Sequence, residues 1–217
     1  MLKFSMEAKE MNFMSIENNH HYYSKSQGDL ESNPSKFVFN FKEHKFVYHT
    51  DNGVFSKDYI DYGSFAMLKT FKPNNLDFPI LDMGAGYGPI GITVSNLYNK
   101  DVVMCEINER AYNLINKNIE ENKATKAKAY HSDLFEKIED MVFSSIITNP
   151  PIRAGKAVVY AIYDGSFKQL VSGGELWVVI QKKQGAPSSK SYLENLFGNC
   201  EIVDRDKGYY ILKCVKN

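Results

Sequence analysis

From Pro79 onward, short apolar runs alternate with longer stretches in which apolar residues recur every three or four positions. The runs Ile80–Met83, Val102–Glu106, Ala127–His131, Ser144–Thr148 and Leu176–Gln181 predict strands. The stretches Pro89–Tyr98, Glu109–Asn122, Lys156–Leu170 and Ser191–Phe197 predict helices between and after them. Apolar runs without polar alternation belong to strands covered on both faces, and strict strand–helix alternation gives a mostly parallel sheet. Two further strands, Glu201–Val203 and Tyr209–Val215, meet at Asp206-Lys207-Gly208 with no helix between them. That turn makes them a hairpin and puts an antiparallel strand into the sheet.

Before Pro79 the pattern differs. Phe37–Phe41 and Lys45–Tyr48 predict a β-hairpin, and Asp51-Asn52-Gly53 a turn. Asp61 is placed to cap a helix carrying Phe65, Leu68 and Phe71, which Pro73 ends. Residues 1–28 lack sustained periodicity and are expected to form a disordered tail; Met1, Met6, Met11 and Met14 are all possible starts. The adjacent His20 and His21 in that tail read as solvated residues and not as metal ligands. The expected organisation is thus a tail (1–28), a hairpin and helix packed on the core (29–78) and the α/β core (79–217), forming one domain overall.

Composition narrows the class. Hydrophobic residues make up 43% of the 217 and charged residues 24%, the profile of a soluble globular chain. Such a length buries roughly 70% of its unfolded surface. Lys+Arg and Asp+Glu stand at 26 each, so global charge announces no nucleic-acid partner, although a local basic rim would suffice to attract one. Cys105, Cys200 and Cys214 are too few and too scattered for a disulfide framework or a zinc site, and read as core thiols. With no signal peptide and no run of about 18 apolar residues, the expectation is a cytoplasmic protein without membrane or metal.

Chemistry concentrates where strands end. The first core strand ends in Leu81-Asp82-Met83-Gly84-Ala85-Gly86-Tyr87-Gly88, with Pro89 at the first helical position. Glycines joining a strand to a helix let the backbone approach a ligand that a Cβ would hold off, and the proline fixes the turn. Glu106 ends the next strand, where an acid can bind ribose hydroxyls; Ile107 follows it. Asp133, followed by Leu134, stands after the third strand, placed to accept from an adenine amine, although a helix N-cap is an equal reading. A plain tight turn competes for the glycines alone, less so for glycines and two acids in this order.

The fourth strand ends in Thr148-Asn149-Pro150-Pro151-Ile152. Two prolines stiffen the chain and remove two backbone donors, which leaves the Asn149 amide oxygen and the Pro150 carbonyl as acceptors. Two acceptors can hold the hydrogens of a planar amine and favour positive charge developing on its nitrogen. A rigid loop with an Asx turn is the bland alternative. Arg153, Lys156, Lys182 and Lys183 follow the fourth and fifth strands, at the edge where open α/β sheets bind ligands. Singly each reads as a solvated charge; together they suit phosphates. Gly185-Ala186-Pro187 reads as a mobile loop able to close over substrate.

The glycine loop with Asn149-Pro150-Pro151 resembles the class I S-adenosylmethionine-dependent methyltransferases that act on amino groups. Asn52-Gly53-Val54-Phe55-Ser56, Asp61-Tyr62-Gly63-Ser64, Thr148–Lys156 and Gln181–Ser188 resemble the catalytic domain of bacterial small-subunit rRNA guanine-N2 methyltransferases, in a short single-domain form. The resemblance spans about residues 21–213. It implies a Rossmann-like seven-stranded methyltransferase sheet with helices on both faces. It also implies S-adenosylmethionine as cofactor and 16S rRNA or the small ribosomal subunit as partner. Asp82, Gly84, Ala85, Gly86, Tyr87, Gly88, Glu106, Ile107, Asp133, Leu134 and Asn149 would bind the cofactor. Asn149, Pro150 and Pro151 would be catalytic, and Phe55, Ile152, Arg153, Lys156, Lys182 and Lys183 would meet the substrate. Two departures stand out. Longer relatives carry a degenerate second domain in front, which this chain is expected to lack. Many Asn-Pro-Pro enzymes place a base-stacking aromatic next, whereas this chain has Ile152, so Phe55 is expected to stack instead. Methylation of a protein glutamine or of adenine N6, and a silent RNA-binding or ribosome-assembly protein, are the competing functions. A nicotinamide oxidoreductase gives Asn-Pro-Pro no role.

Overall fold

The computed structural model describes residues 30–217; the expected tail, His20 and His21 lie outside them. A hairpin comes first, β1 (Ser35–Phe41) paired antiparallel with β2 (His44–Thr50). Phe41, Phe46, Tyr48 and Thr50 are buried, while Val38 on the opposite face is exposed. The free edge of β2 is closed by side chains. Asn118 and Asn122, one turn apart on α3 (Glu109–Glu121) and its C-cap, exchange hydrogen bonds with the His49 and Val47 backbones at 2.7–3.0 Å. Two asparagines thus act as a neighbouring strand would, satisfying polar groups that an edge leaves open. Helix α1 (Tyr62–Thr70) follows, with Asp61 as its N-cap as the sequence predicts.

The main sheet has seven strands in the order β5-β4-β3-β6-β7-β9-β8. These are β3 (Ile80–Met83), β4 (Val102–Glu106), β5 (Ala127–His131), β6 (Phe143–Thr148), β7 (Leu170–Gln181), β8 (Glu201–Asp206) and β9 (Tyr209–Val215). β3 to β7 run parallel, and β9 enters antiparallel between β7 and β8. Side chains of one strand alternate between two cores. Ile80, Met104, Ile147, Trp177, Val179 and Ile211 face the hairpin, α1, α2 (Pro89–Tyr98) and α3. Leu81, Cys105, Ile146, Val178, Ile180 and Leu212 face α4 (Lys156–Gln169) and α5 (Ala186–Phe197). The three cysteines are free and buried.

Two expectations are corrected. Gly185-Ala186-Pro187 is no mobile loop: α5 begins at Ala186, with Gly185 as a left-handed N-cap (φ 107°) and the proline in the first turn, where its missing N–H costs nothing. β7 begins at Leu170 and not at Leu176. Gly173 and Gly174 interrupt its apolar pattern where its register with β6 shifts, so periodicity detects only the second half. No helix among the described residues is long and apolar enough to cross a membrane.

Candidate active site

The C-terminal ends of β3, β4 and β6 open into a cleft of about 330 Å³, within the range of small-molecule sites. Its floor is the glycine loop. Gly84, Gly86 and Gly88 all have positive φ (76°, 59° and 93°), which L-residues rarely adopt. The Gly84 and Ala85 amides both donate to the Cys105 carbonyl at 3.0 Å, pinning the loop to β4. A Cβ on Gly84 or Gly86 would meet no protein atom within 4 Å, so their open sides are free for a ligand. Gly88 is different: a Cβ there would sit 2.8 Å from Ile92 Cδ1, so this glycine serves the turn into α2.

Two buried carboxyls brace the loop. Glu106 takes the Gly86 amide on Oε2 (2.8 Å) and the Asn108 amide on Oε1 (2.9 Å). Burial raises its pKa, against the pull of these hydrogen bonds. The Ile107 backbone N–H also favours the carboxylate, and of its roughly four acceptor positions about one remains for a ligand hydroxyl. Asp82 accepts the Gly91 amide at 2.8 Å, and burial pushes its carboxyl up to about 7. Tyr87 is a strut. Its ring packs edge-on to Phe37 and Tyr48, and its hydroxyl lies 3.2 Å from the Tyr59 carbonyl and 3.3 Å from that of Ser56, tying the glycine loop to the loop before α1. Its burial holds the phenol well above its usual pKa.

The opposite wall comes from β6. Thr148 donates to the Met83 carbonyl (2.9 Å), fixing the end of β6 against β3. Asn149 follows, its Nδ2 donating to Asp61 Oδ1 (3.1 Å) and Ser64 Oγ (3.2 Å) at the start of α1. The Pro150 carbonyl is not wholly open as the sequence implied, since the Ile152 amide donates to it at 2.8 Å; one lone pair remains. Phe55, 47% exposed, stands at the rim with Ile152 and Arg153.

Of the residues singled out from sequence, Phe55, Asp82, Gly84, Ala85, Gly86, Tyr87, Glu106, Asn149, Pro150, Ile152 and Arg153 line this cleft. Gly88, Ile107, Asp133, Leu134, Pro151, Lys156, Lys182 and Lys183 lie outside its lining. Ile107 and Leu134 sit in the turns after β4 and β5, where the Ile107 carbonyl meets His131 Nε2 at 2.9 Å. Lys156 lies over the Tyr160 ring (5.1 Å), and Lys182 and Lys183 are exposed on a single 3₁₀ turn after β7. The lining also includes Ser64, Asn108, Gln181, Gln184 and Tyr209. Ser64, Gln181 and Gln184 lie in the segments of family resemblance without an assigned role, Asn108 reads from sequence as a plain helix cap after β4, and Tyr209 is carried in from distant sequence by the antiparallel β9. No cluster of His, Cys, Asp and Glu able to hold a metal occurs among the described residues.

A glycine-floored cleft at the strand ends of a parallel sheet with an antiparallel β9 defines a Rossmann-like methyltransferase fold. The methyltransferase small domain family model matches residues 45–213, and the chain belongs to that family. It is 46% identical to the uncharacterized protein YbxB of Bacillus subtilis, across 90% of this chain and 98% of that one. It is 26% identical to ribosomal RNA large subunit methyltransferase G of Psychromonas ingrahamii (77% of this chain, 45% of that one). Against ribosomal RNA small subunit methyltransferase C of Escherichia coli the identity is 24% (89% and 56%). The chain thus spans about half the length of these two rRNA enzymes. Among solved structures, the Thermus thermophilus 16S rRNA guanine-N2 methyltransferase RsmC, bound to AdoMet and guanosine, superposes with a TM-score of 0.77. That match has 26% identity and covers 88% of this chain and 53% of that one. Family and fold alike make S-adenosylmethionine the cofactor.

Proposed function

We propose that this chain methylates the exocyclic N2 amine of a guanine in 16S rRNA, using S-adenosylmethionine. The observation that carries the reading is the pairing, across one cleft, of a glycine floor open to a ligand with the Asn149–Pro150 acceptors. The named substrates of the rRNA relatives supply the guanine and the rRNA.

The open sides of Gly84 and Gly86 and the remaining acceptor position of Glu106 suit a nucleoside-bearing cofactor. Gly84, Ala85, Gly86 and Glu106 hold it in this reading, with Asp82, Tyr87 and Gly88 shaping the loop and Ile107, Asp133 and Leu134 at the outer, adenine end. Bound there, the cofactor supplies a methyl group activated on a cationic sulfur. The protein's part is placement. Asn149 Oδ1 and the remaining lone pair of the Pro150 carbonyl accept the two hydrogens of the target amine and direct its nitrogen. Pro151 keeps this acceptor pair rigid. Positioning of this kind is worth as much as ~7–11 kcal/mol. Phe55 stacks on the unpaired base, a contact worth ~1–3 kcal/mol, and Ile152 packs beside it. Arg153, Lys156, Lys182 and Lys183 receive backbone phosphates around the rim.

The test is to incubate the full chain and its Asn149→Ala variant with tritiated AdoMet and small subunits, naked small-subunit rRNA or ribosomal proteins. The proposal expects label in RNA, falling ~10²–10³-fold in the variant, the cost of removing one charge-stabilising group. Label in protein would move the activity to a glutamine amide; label in RNA undiminished by the variant would remove Asn149 from the chemistry.

A further inference from the structure

The contact between the N-cap of α1 and the Asn149 side chain joins residues 88 positions apart. Asp61 Oδ1 does two things at once. It caps α1 by accepting the Ser64 amide (3.2 Å), and it accepts Asn149 Nδ2 (3.1 Å). Ser64 Oγ, one turn on, takes the same Nδ2 at 3.2 Å. A carboxylate has only acceptors, so the amide must turn its NH₂ end toward Asp61. The Asn149 carbonyl oxygen then points the other way and becomes the end offered to a ligand in the cleft. Without this partner the two ends of the amide would compete for the same position.

The approach is built into the backbone. Gly63 lies between the two groups, and a Cβ there would come within 3.0 Å of Asp61 Oδ1 and of Tyr209 Cε1, and 3.3 Å of Asn149 Nδ2. The end of α1 is itself clamped: Tyr62 donates to Asp206, Thr70 to Asp204 (3.0 Å), and Lys69 pairs with Asp206 (3.2 Å). The Tyr62 and Tyr209 rings also pack at 5.7 Å. The helix that Asp61 caps is therefore anchored to the hairpin of β8 and β9, independently of the loop that carries Asn149.

We infer that Asp61 is a positioning residue for methyl transfer, holding the Asn149 amide in the one orientation that presents Oδ1 to the target amine. This inference rests on the proposed use of Asn149 as an acceptor. Asp61 need touch neither the target base nor the cofactor to act in this way. Ser64 Oγ assists as a second acceptor.

Helix capping must be separated from positioning. In Asp61→Ser the hydroxyl still caps α1 but is too short to reach Asn149. In Asp61→Asn an amide oxygen is present for both partners. The first readout is the Asn149 side-chain NH₂ pair in ¹⁵N NMR spectra of the full chain, identified by its loss in Asn149→Ala. Its hydrogen exchange is expected to speed up about tenfold or more in Asp61→Ser and to slow again in Asp61→Asn, as loss of one hydrogen bond implies. The second readout is methyl transfer to unmethylated small subunits, with AdoMet affinity measured by calorimetry. Asp61→Ser is expected to lower kcat about tenfold with AdoMet Kd and melting temperature near wild type, and Asp61→Asn to regain most of the loss. An Asn149 NH₂ pair indifferent to Asp61→Ser would overturn the inference. So would a loss of AdoMet affinity that accounts for the whole loss of activity, which would make Asp61 a cofactor ligand. If the wild type labels no RNA, the proposed substrate fails, and the NH₂ exchange still decides the orienting contact.

Discussion

Asp82, next to last in β3, has 1% of its surface exposed and a single backbone donor, Gly91, on Oδ2. Burial, partly opposed by that hydrogen bond and reinforced by the nearby charge of Glu106, pushes its carboxyl from 3.8 up to about 7. A carboxyl with a higher pKa folded than unfolded binds its proton more tightly in the native state. Its contribution to stability is complete below about pH 4 and is lost as pH rises through about 7. Over pH 5 to 8 the loss amounts to roughly 2–3 kcal/mol, at 1.36 kcal/mol for each tenfold change in proton affinity. Asp82→Asn keeps the shape and an acceptor for Gly91 but has no proton to lose. Urea unfolding followed through the fluorescence of Trp177, the chain's one tryptophan, measures both proteins across this range. Glu106 titrates in the same direction in both, so the difference between the two curves reports Asp82 together with its coupling to Glu106. The cofactor-free wild type is expected to lose stability with rising pH, relative to the variant, by that amount. Parallel curves would show that Asp82 is ionised in the folded protein throughout this range.

Three other outcomes follow from the same geometry. Phe55→Ala should raise the KM for RNA by roughly 5- to 100-fold, the worth of one stacked base, with AdoMet affinity near wild type by calorimetry; Phe55→Trp should retain RNA binding. Lys182→Gln with Lys183→Gln should weaken RNA binding and make log Kd less steep in log salt by about 1–2, measured by filter binding at several salt concentrations. Gly165→Ala should lower the unfolding free energy by about 1–3 kcal/mol, because its Cβ would fall 2.1 Å from Phe135 Cε2. Combining it with Phe135→Leu should recover part of that loss in the same denaturation assay.

What could be read from sequence depended on how local its cause was. The strands β3, β4 and β5 and the helix α2 fell where periodicity put them, because each is fixed by its own apolar run and flanking turns. The glycine loop and Asn149-Pro150-Pro151 were legible for the same reason: a few adjacent residues constrain the backbone. Gly173-Gly174 hid the first half of β7, and Pro187 read as a loop until its place in the first turn of α5 was seen. The asparagine edge of β2 could not be read at all, since Asn118 and Asn122 look like polar helix positions until the hairpin lies against them. Asp61 was legible as a cap and silent as a partner of Asn149, because only tertiary packing brings the two together. Tyr209 enters the cleft only because β9 inserts antiparallel beside β7.

The methylated atom defines the substrate. The most direct measurement digests rRNA from unmethylated small subunits treated with the purified chain and labelled AdoMet, and separates the nucleosides by chromatography and mass spectrometry. Label is expected in N2-methylguanosine, falling ~10²–10³-fold when Asn149→Ala replaces the wild type. Label in N6-methyladenosine, or in no nucleoside while ribosomal protein is labelled, would exclude guanine N2 as the target.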